Sequence, residues 1–175
     1  MKKRTGALIP LTLAAIGTTP IWADNTTQPA DATGLVGQPA PALSLPDLDG
    51  KTQSLADQKG SVVVLDFWAT WCVPCHLELP HLDAMYQKLS PSGLKMFAVD
   101  TNDDVSKAGP YARANHLSMP VLLDADSTAA TAYKVDEQPE TVVVNKDGTI
   151  ANVFMGFTPD TEAKLEQAVT EAMNK

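Results

Sequence analysis

The sequence predicts an α/β domain of three layers, with helices on both faces of a mixed central β-sheet. Three observations carry this. "SVVVLDFW", residues 61–68, is a continuous run of β-branched and aromatic residues, the pattern of a strand buried on both faces. After Cys72 the apolar spacing switches to a helical period. Late in the chain, "ETVVVNKDGTIANVFMG" reads as two strands joined around Asp147-Gly148. A strand-helix-strand order implies parallel neighbours, and the late hairpin adds antiparallel strands to the same sheet.

Each element follows from local chemistry. Residues 1–23 have a basic start at Lys2, Lys3 and Arg4, an apolar stretch from Ala7 to Ile16, then small residues; this is the pattern of a secretory signal, with cleavage expected after Ala23. An uncleaved anchor is the competing reading, but Pro10, Gly17 and Pro20 interrupt a run shorter than the ~20 residues a span needs. Residues 24–34, "DNTTQPADATG", lack apolar periodicity and read as a linker, so one domain is expected over 35–175. "PALSLPDLDGKTQSL" alternates on either side of Asp49-Gly50, a hairpin signal. Cys75, Leu79, Leu82, Tyr86 and Leu89 predict a helix from the cysteine pair to about Leu89, kinked at Pro80. "GLKMFAVD" is a second buried strand, Asp103 to His116 a helix whose start Gly109-Pro110 obscures, "PVLLD" a third strand and "STAATAYKV" a short helix. Thr158 as N-cap and Pro159 in the first turn open a last helix, with Ala163, Leu165, Ala168, Val169 and Ala172 as its apolar face.

Thirteen basic residues stand against 21 acidic ones, a net charge of −8, and losing Lys2, Lys3 and Arg4 with the leader makes it −11. Nucleic acid is therefore not an expected partner. The chain has only two cysteines, Cys72 and Cys75. A bridge between them closes too short a loop to stabilise the fold much, so the pair reads as chemistry rather than as a staple.

Cys72 falls where the buried strand ends and the helix begins, near free backbone N–H groups and the positive end of the helix dipole, both of which favour thiolate. That thiolate is the species that attacks a disulfide, and Cys75, one turn on, is placed to resolve the mixed disulfide. A zinc site needs a second ligand pair at suitable spacing, and His76, His81 and His116 read instead as solvated surface residues. Asp66 is the anomaly. A carboxylate inside "VVVLDFW" is costly to bury charged, so it is either satisfied by loop backbone or serves as proton acceptor for Cys75. Glu78, three residues after Cys75 on the helix, is a second candidate for that role, against the ordinary reading of an exposed helix glutamate.

"DFWATWCVPC", with a proline eight residues after the first cysteine, resembles the thioredoxin superfamily. The leader, residues 36–75, Glu78, "MPVLLDADSTAATAYKV" and "QPETVVVNKDGTI" are closer to its extracytoplasmic TlpA/ResA branch, which includes cytochrome c maturation reductases. The resemblance covers about residues 35–173 and implies a thioredoxin fold with an N-terminal hairpin and an inserted strand-helix element. It implies Cys72 as nucleophile and Cys75 as resolving cysteine, with Asp66 and Glu78 competing for the proton. Trp68 is expected in the core and Trp71 beside the nucleophile, while Val73-Pro74 tunes the thiolate. By sequence alone Gln138-Pro139 would be trans; the resemblance implies a cis bond there, facing the cysteines, with Met119-Pro120 the weaker candidate. The Gln138 backbone would then pair with an incoming substrate strand.

The activity so implied is that of a periplasmic thiol-disulfide oxidoreductase, a reductant of protein disulfides in cytochrome c maturation or metal-site assembly. Its partners would be a disulfide-bearing protein and a membrane electron donor of the thiol-transporting type. No cofactor and no metal site are expected, and the protein is expected to be a monomer. A copper carrier using the same cysteines is the alternative from another class. A peroxiredoxin is disfavoured, because Leu65 and Ala69 stand where the Pro-x-x-x-Thr-x-x-Cys approach to its reactive cysteine would need proline and threonine.

Overall fold

The computed structural model describes residues 33–101 and 104–175. The expected signal segment, and the linker up to residue 32, lie outside the described residues. Packed structure begins by Thr33, which is buried: its hydroxyl accepts the Leu35 N–H at 3.2 Å and its carbonyl accepts Lys134 Nζ at 2.7 Å.

Among the described residues seven strands and four α-helices follow one another: β1 Ser44–Pro46, β2 Thr52–Ser54, β3 Val63–Trp68, α1 Val73–Leu89, β4 Lys95–Thr101, α2 Val105–Ala114, β5 Val121–Asp124, α3 Thr128–Tyr133, β6 Glu140–Val144, β7 Ile150–Met155 and α4 Pro159–Asn174. The central sheet has the order β5-β4-β3-β6-β7. β3 runs parallel to β4, and β4 to β5, while β6 is antiparallel to both β3 and β7. This is the mixed sheet that the strand and hairpin signals require. The early hairpin forms a separate two-stranded sheet, tied to the central one by an isolated bridge between Asp47 and Leu122 of β5.

Alternation along β3 sorts the core into two faces. Val64 and Trp68 point into a cluster with Cys75, Leu79 and Leu82 of α1, Ala108 and Ala112 of α2, and Leu165 and Val169 of α4. Leu65 and Phe67 point the other way, toward Leu43 before β1 and toward Ala129, Ala130 and Tyr133 of α3. Layers therefore flank the sheet on both sides, with α1, α2 and α4 on one face and α3 with the hairpin segment on the other.

Pro110 lies inside α2 without interrupting it, and the helix starts cleanly where the Asp104 carboxylate accepts the Ser106 N–H at 3.0 Å. Pro80 is likewise inside α1. Ala163, expected on the buried face of α4, is exposed. It sits two residues, or about 200°, from Leu165, off the stripe that Leu165, Ala168, Val169 and Ala172 form.

Asp83, which the periodicity of α1 does not single out, joins that helix to the start of β5. Its buried carboxylate accepts the backbone N–H of Ser118 at 2.6 Å and of Met119 at 2.9 Å, and the Gln87 amide at 2.7 Å. Replacing it by alanine leaves those donors unpaired. Asp83→Ala is expected to cost about 2 kcal/mol, a drop in Tm of about 4–8 °C by scanning calorimetry, and Asp83→Asn, which keeps one acceptor oxygen, should lose less.

Candidate active site

β3 ends at Trp68, and Ala69 to Trp71 lead directly into α1, whose N-cap is Cys72. Cys72 has extended backbone, and its Sγ accepts the Cys75 N–H at 3.3 Å. A sulfur thus occupies the position where caps are normally oxygen acceptors, so anionic charge on it is stabilised by a backbone donor and by the helix dipole. Pro74, in the first turn of α1, has no N–H to compete.

Cys72 and Cys75 form a disulfide, with Cα atoms 5.3 Å apart. The two cysteines differ in access: Cys72 retains 4% exposure and Cys75 none. Around Cys72 stands an apolar rim of Trp71, Val73 and Leu77, each more than half exposed, whereas Trp68 is wholly in the core.

Among the described residues the Gln138-Pro139 bond is cis, and Met119-Pro120 is not. Because Glu140 pairs with Phe67, Pro139 comes level with the end of β3, beside the loop that carries the cysteines. The Pro139 carbonyl is taken by the Gly156 N–H at 2.8 Å. Gln138 lies just outside β6, and its side-chain oxygen is buried with no hydrogen-bond partner among the described residues.

Beneath α1, two acids converge. Asp66 shares the face of β3 that α1 covers and is fully buried; neither carboxylate oxygen has a hydrogen-bond partner among the described residues. Its partner across the sheet is Thr141, whose hydroxyl donates to Glu78 Oε1 at 3.0 Å. Glu78 is only 4% exposed, so it is not the solvated helix glutamate that its sequence position suggests. Burial pushes the Asp66 carboxyl well above the ordinary carboxylate range, and the neighbouring Glu78 charge pushes it further. Burial raises Glu78 from 4.5 to about 7, against the opposing pull of the Thr141 hydrogen bond.

Thr141 is a site residue that pattern reading misses. Its only signal is parity: it lies two residues after Pro139 on a strand with Val143 facing the α1 side. His76 departs from expectation, being half-buried, while His81 is exposed, as expected, and has a charged neighbour. The His76 ring stacks on Tyr111 with centroids 4.9 Å apart and its Nε2 lies 2.9 Å from the Thr70 carbonyl, while His81 Nδ1 lies 2.5 Å from a Glu162 oxygen. Both are held by tertiary partners that lie far away in sequence or in the turn before the helix. His116 is exposed, as expected. Among the described residues no group of three or more histidine, cysteine, aspartate or glutamate side chains is arranged to hold a metal ion, and no helix is long and apolar enough to cross a membrane.

A Cys-x-x-Cys pair capping the helix that follows the central strand, opposite a cis proline, defines the class of thioredoxin-fold thiol-disulfide oxidoreductases. The comparisons agree. The thiol-disulfide oxidoreductase ResA of Geobacillus thermodenitrificans is 32% identical over 149 residues, covering 85% of this chain and 84% of the relative. ResA of Bacillus subtilis is 33% identical over 120 residues, covering 69% and 67%. The crystal structure of the thioredoxin domain of a thiol-disulfide oxidoreductase from Bacteroides vulgatus superimposes with a TM-score of 0.68 at 26% identity, covering 77% of this chain and 97% of that one. A family model matches residues 36–153, and the chain belongs to the AhpC/TSA family. The protein is a thiol-disulfide oxidoreductase.

Proposed function

We propose that the protein is an extracytoplasmic reductant of protein disulfides, acting through Cys72 and Cys75. The observation that carries this is the cap: the sulfur of Cys72, a residue that keeps slight exposure between exposed Trp71 and Val73, accepts the Cys75 N–H at the head of α1. In the dithiol form that geometry favours a Cys72 thiolate. It attacks one sulfur of a substrate disulfide, forming a mixed disulfide and releasing the other substrate sulfur as thiolate. Cys75 gives up its proton to a buried carboxylate and attacks Cys72, closing the Cys72–Cys75 bond and releasing the substrate's second thiol. Two electrons pass to the substrate. A membrane electron donor of the thiol-transporting type, by its own dithiol, returns the pair to the reduced form.

Trp71, Val73 and Pro74 line the approach, and the Gln138 backbone ahead of Pro139 offers an edge to an extended substrate segment. Leu65 and Ala69 are buried and apolar, so neither position supplies the proline or the threonine that the approach to a peroxidatic cysteine needs. The basic-apolar start of the sequence supports export to the periplasm. The likeness to the TlpA/ResA branch supports a reducing direction and a substrate in cytochrome c or metal-site assembly.

The direction is tested by equilibrating the protein in thiol redox buffers and following the Cys72–Cys75 couple. A potential below about −200 mV is expected, and one near the about −120 mV of a strong periplasmic oxidant would overturn the reductase assignment.

A further inference from the structure

Next to the cysteine pair a cavity of about 510 Å³ opens between Trp71, the end of β4, α3 and the segment leading to the cis proline. Its charged lining, among the described residues, is of one sign. Asp136 and Glu137 project from that segment, both exposed, and no described lysine or arginine lines the space. The indole of Trp71, 62% exposed, forms the wall adjoining Cys72. Gln138 lines it too, with its side-chain oxygen buried and lacking a hydrogen-bond partner among the described residues.

The carboxylates and the indole share one preference. Two carboxylates attract a cation, and an aromatic face accepts one over its π-system. An acidic side chain would be repelled. The space exceeds what a single long side chain fills, so the charged head can bring water with it. Because Trp71 is next to Cys72, the side chain that enters belongs to a residue close to the substrate's reacting cysteine.

We propose that this cavity is a specificity subsite that receives a lysine or arginine side chain of the substrate, a few residues from the disulfide under attack. The inference rests on the disulfide-reductase reading and names the class of substrate that reading leaves open: a segment with a basic residue near its cysteine.

The test uses three short peptides with the same internal disulfide, carrying lysine, serine or glutamate at one position near the first cysteine, and the reduced full-length protein. The lysine peptide is expected to be reduced with kcat/KM about tenfold above the glutamate peptide, serine falling between, and the ratio should shrink as salt is raised. Asp136→Asn combined with Glu137→Gln should bring the ratio to about one or two. Asp57→Asn combined with Asp147→Asn removes the same charge at the far end of β6, where the Gly60 N–H meets the Lys146 carbonyl, and should leave the ratio standing. An equal fall in both double variants would assign the preference to net charge and overturn the subsite, as would an unchanged ratio in the first. If none of the three peptides exchanges with the reduced protein, the reductase reading itself fails, and the subsite with it.

Discussion

Cys75→Ala is expected to accumulate disulfide-linked adducts through Cys72, while Cys72→Ser accumulates none. The asymmetry follows from access. Cys72, at the head of α1, keeps slight exposure, and Cys75 has none. In the proposed mechanism Cys72 meets the substrate disulfide and Cys75 releases the product. Removing the resolving thiol leaves the mixed disulfide with no internal attacker, so it persists until an external thiol arrives. Removing Cys72 removes the nucleophile, and turnover should fall by at least about 10³-fold, as when a covalent catalyst loses its attacking group. Non-reducing gels of each variant after exposure to periplasmic extract, with mass spectrometry of the adducts, read both outcomes and identify the substrate. Adducts on Cys72→Ser in place of Cys75→Ala would reverse the assignment of nucleophile and resolving cysteine.

How much of this was legible in the sequence depended on whether a signal was local. The strand "VVVLDFW", the cysteine pair and the start of α1 sit within a few residues of one another, and composition and period fix them together. The closing hairpin was equally plain, because Asp147-Gly148 marks its turn and valines mark its strands. What local pattern did not carry were contacts across the sheet. Glu78 reads as a surface residue on a helix, yet the approach of β6 buries it against Thr141, 63 positions away. The cis bond before Pro139 came from family resemblance, since no local chemistry separates it from Met119-Pro120. His76 looked solvated because Tyr111, its stacking partner, belongs to a helix that folds back from beyond β4.

The two buried acids give the second large effect. If Glu78 receives the Cys75 proton, it must be ionised when the mixed disulfide is resolved. With its carboxyl held near pH 7 by burial, that fraction falls as pH drops through about 7. Glu78→Gln should then slow resolution by about 10²-fold or more above pH 7 and erase the titration near 7. Asp66→Asn tests the rival. It removes a group held further up by burial and by repulsion from Glu78, so the Glu78 titration should survive it, moved to lower pH if moved at all. Stopped-flow measurement of the resolution step on a preformed mixed disulfide, from pH 5 to 9, separates them, and loss of the pH step in Asp66→Asn alone would give the proton to Asp66. Stability supplies an independent sign. A carboxyl whose pKa rises from 4.5 to about 7 on folding binds more protons in the folded state, so its favourable contribution is full below about pH 4.5 and is lost as pH rises through 7. Wild-type oxidised protein therefore bears the cost of a charged, buried Glu78 at pH 8, a cost that the neutral amide of Glu78→Gln avoids. Denaturant unfolding should show this variant more stable than wild type at pH 8, by up to about 3 kcal/mol, and close to it at pH 5. A destabilised variant at pH 8 would mean that the ionised carboxylate is satisfied where it lies, and the raised pKa on which its catalytic role depends would go with it.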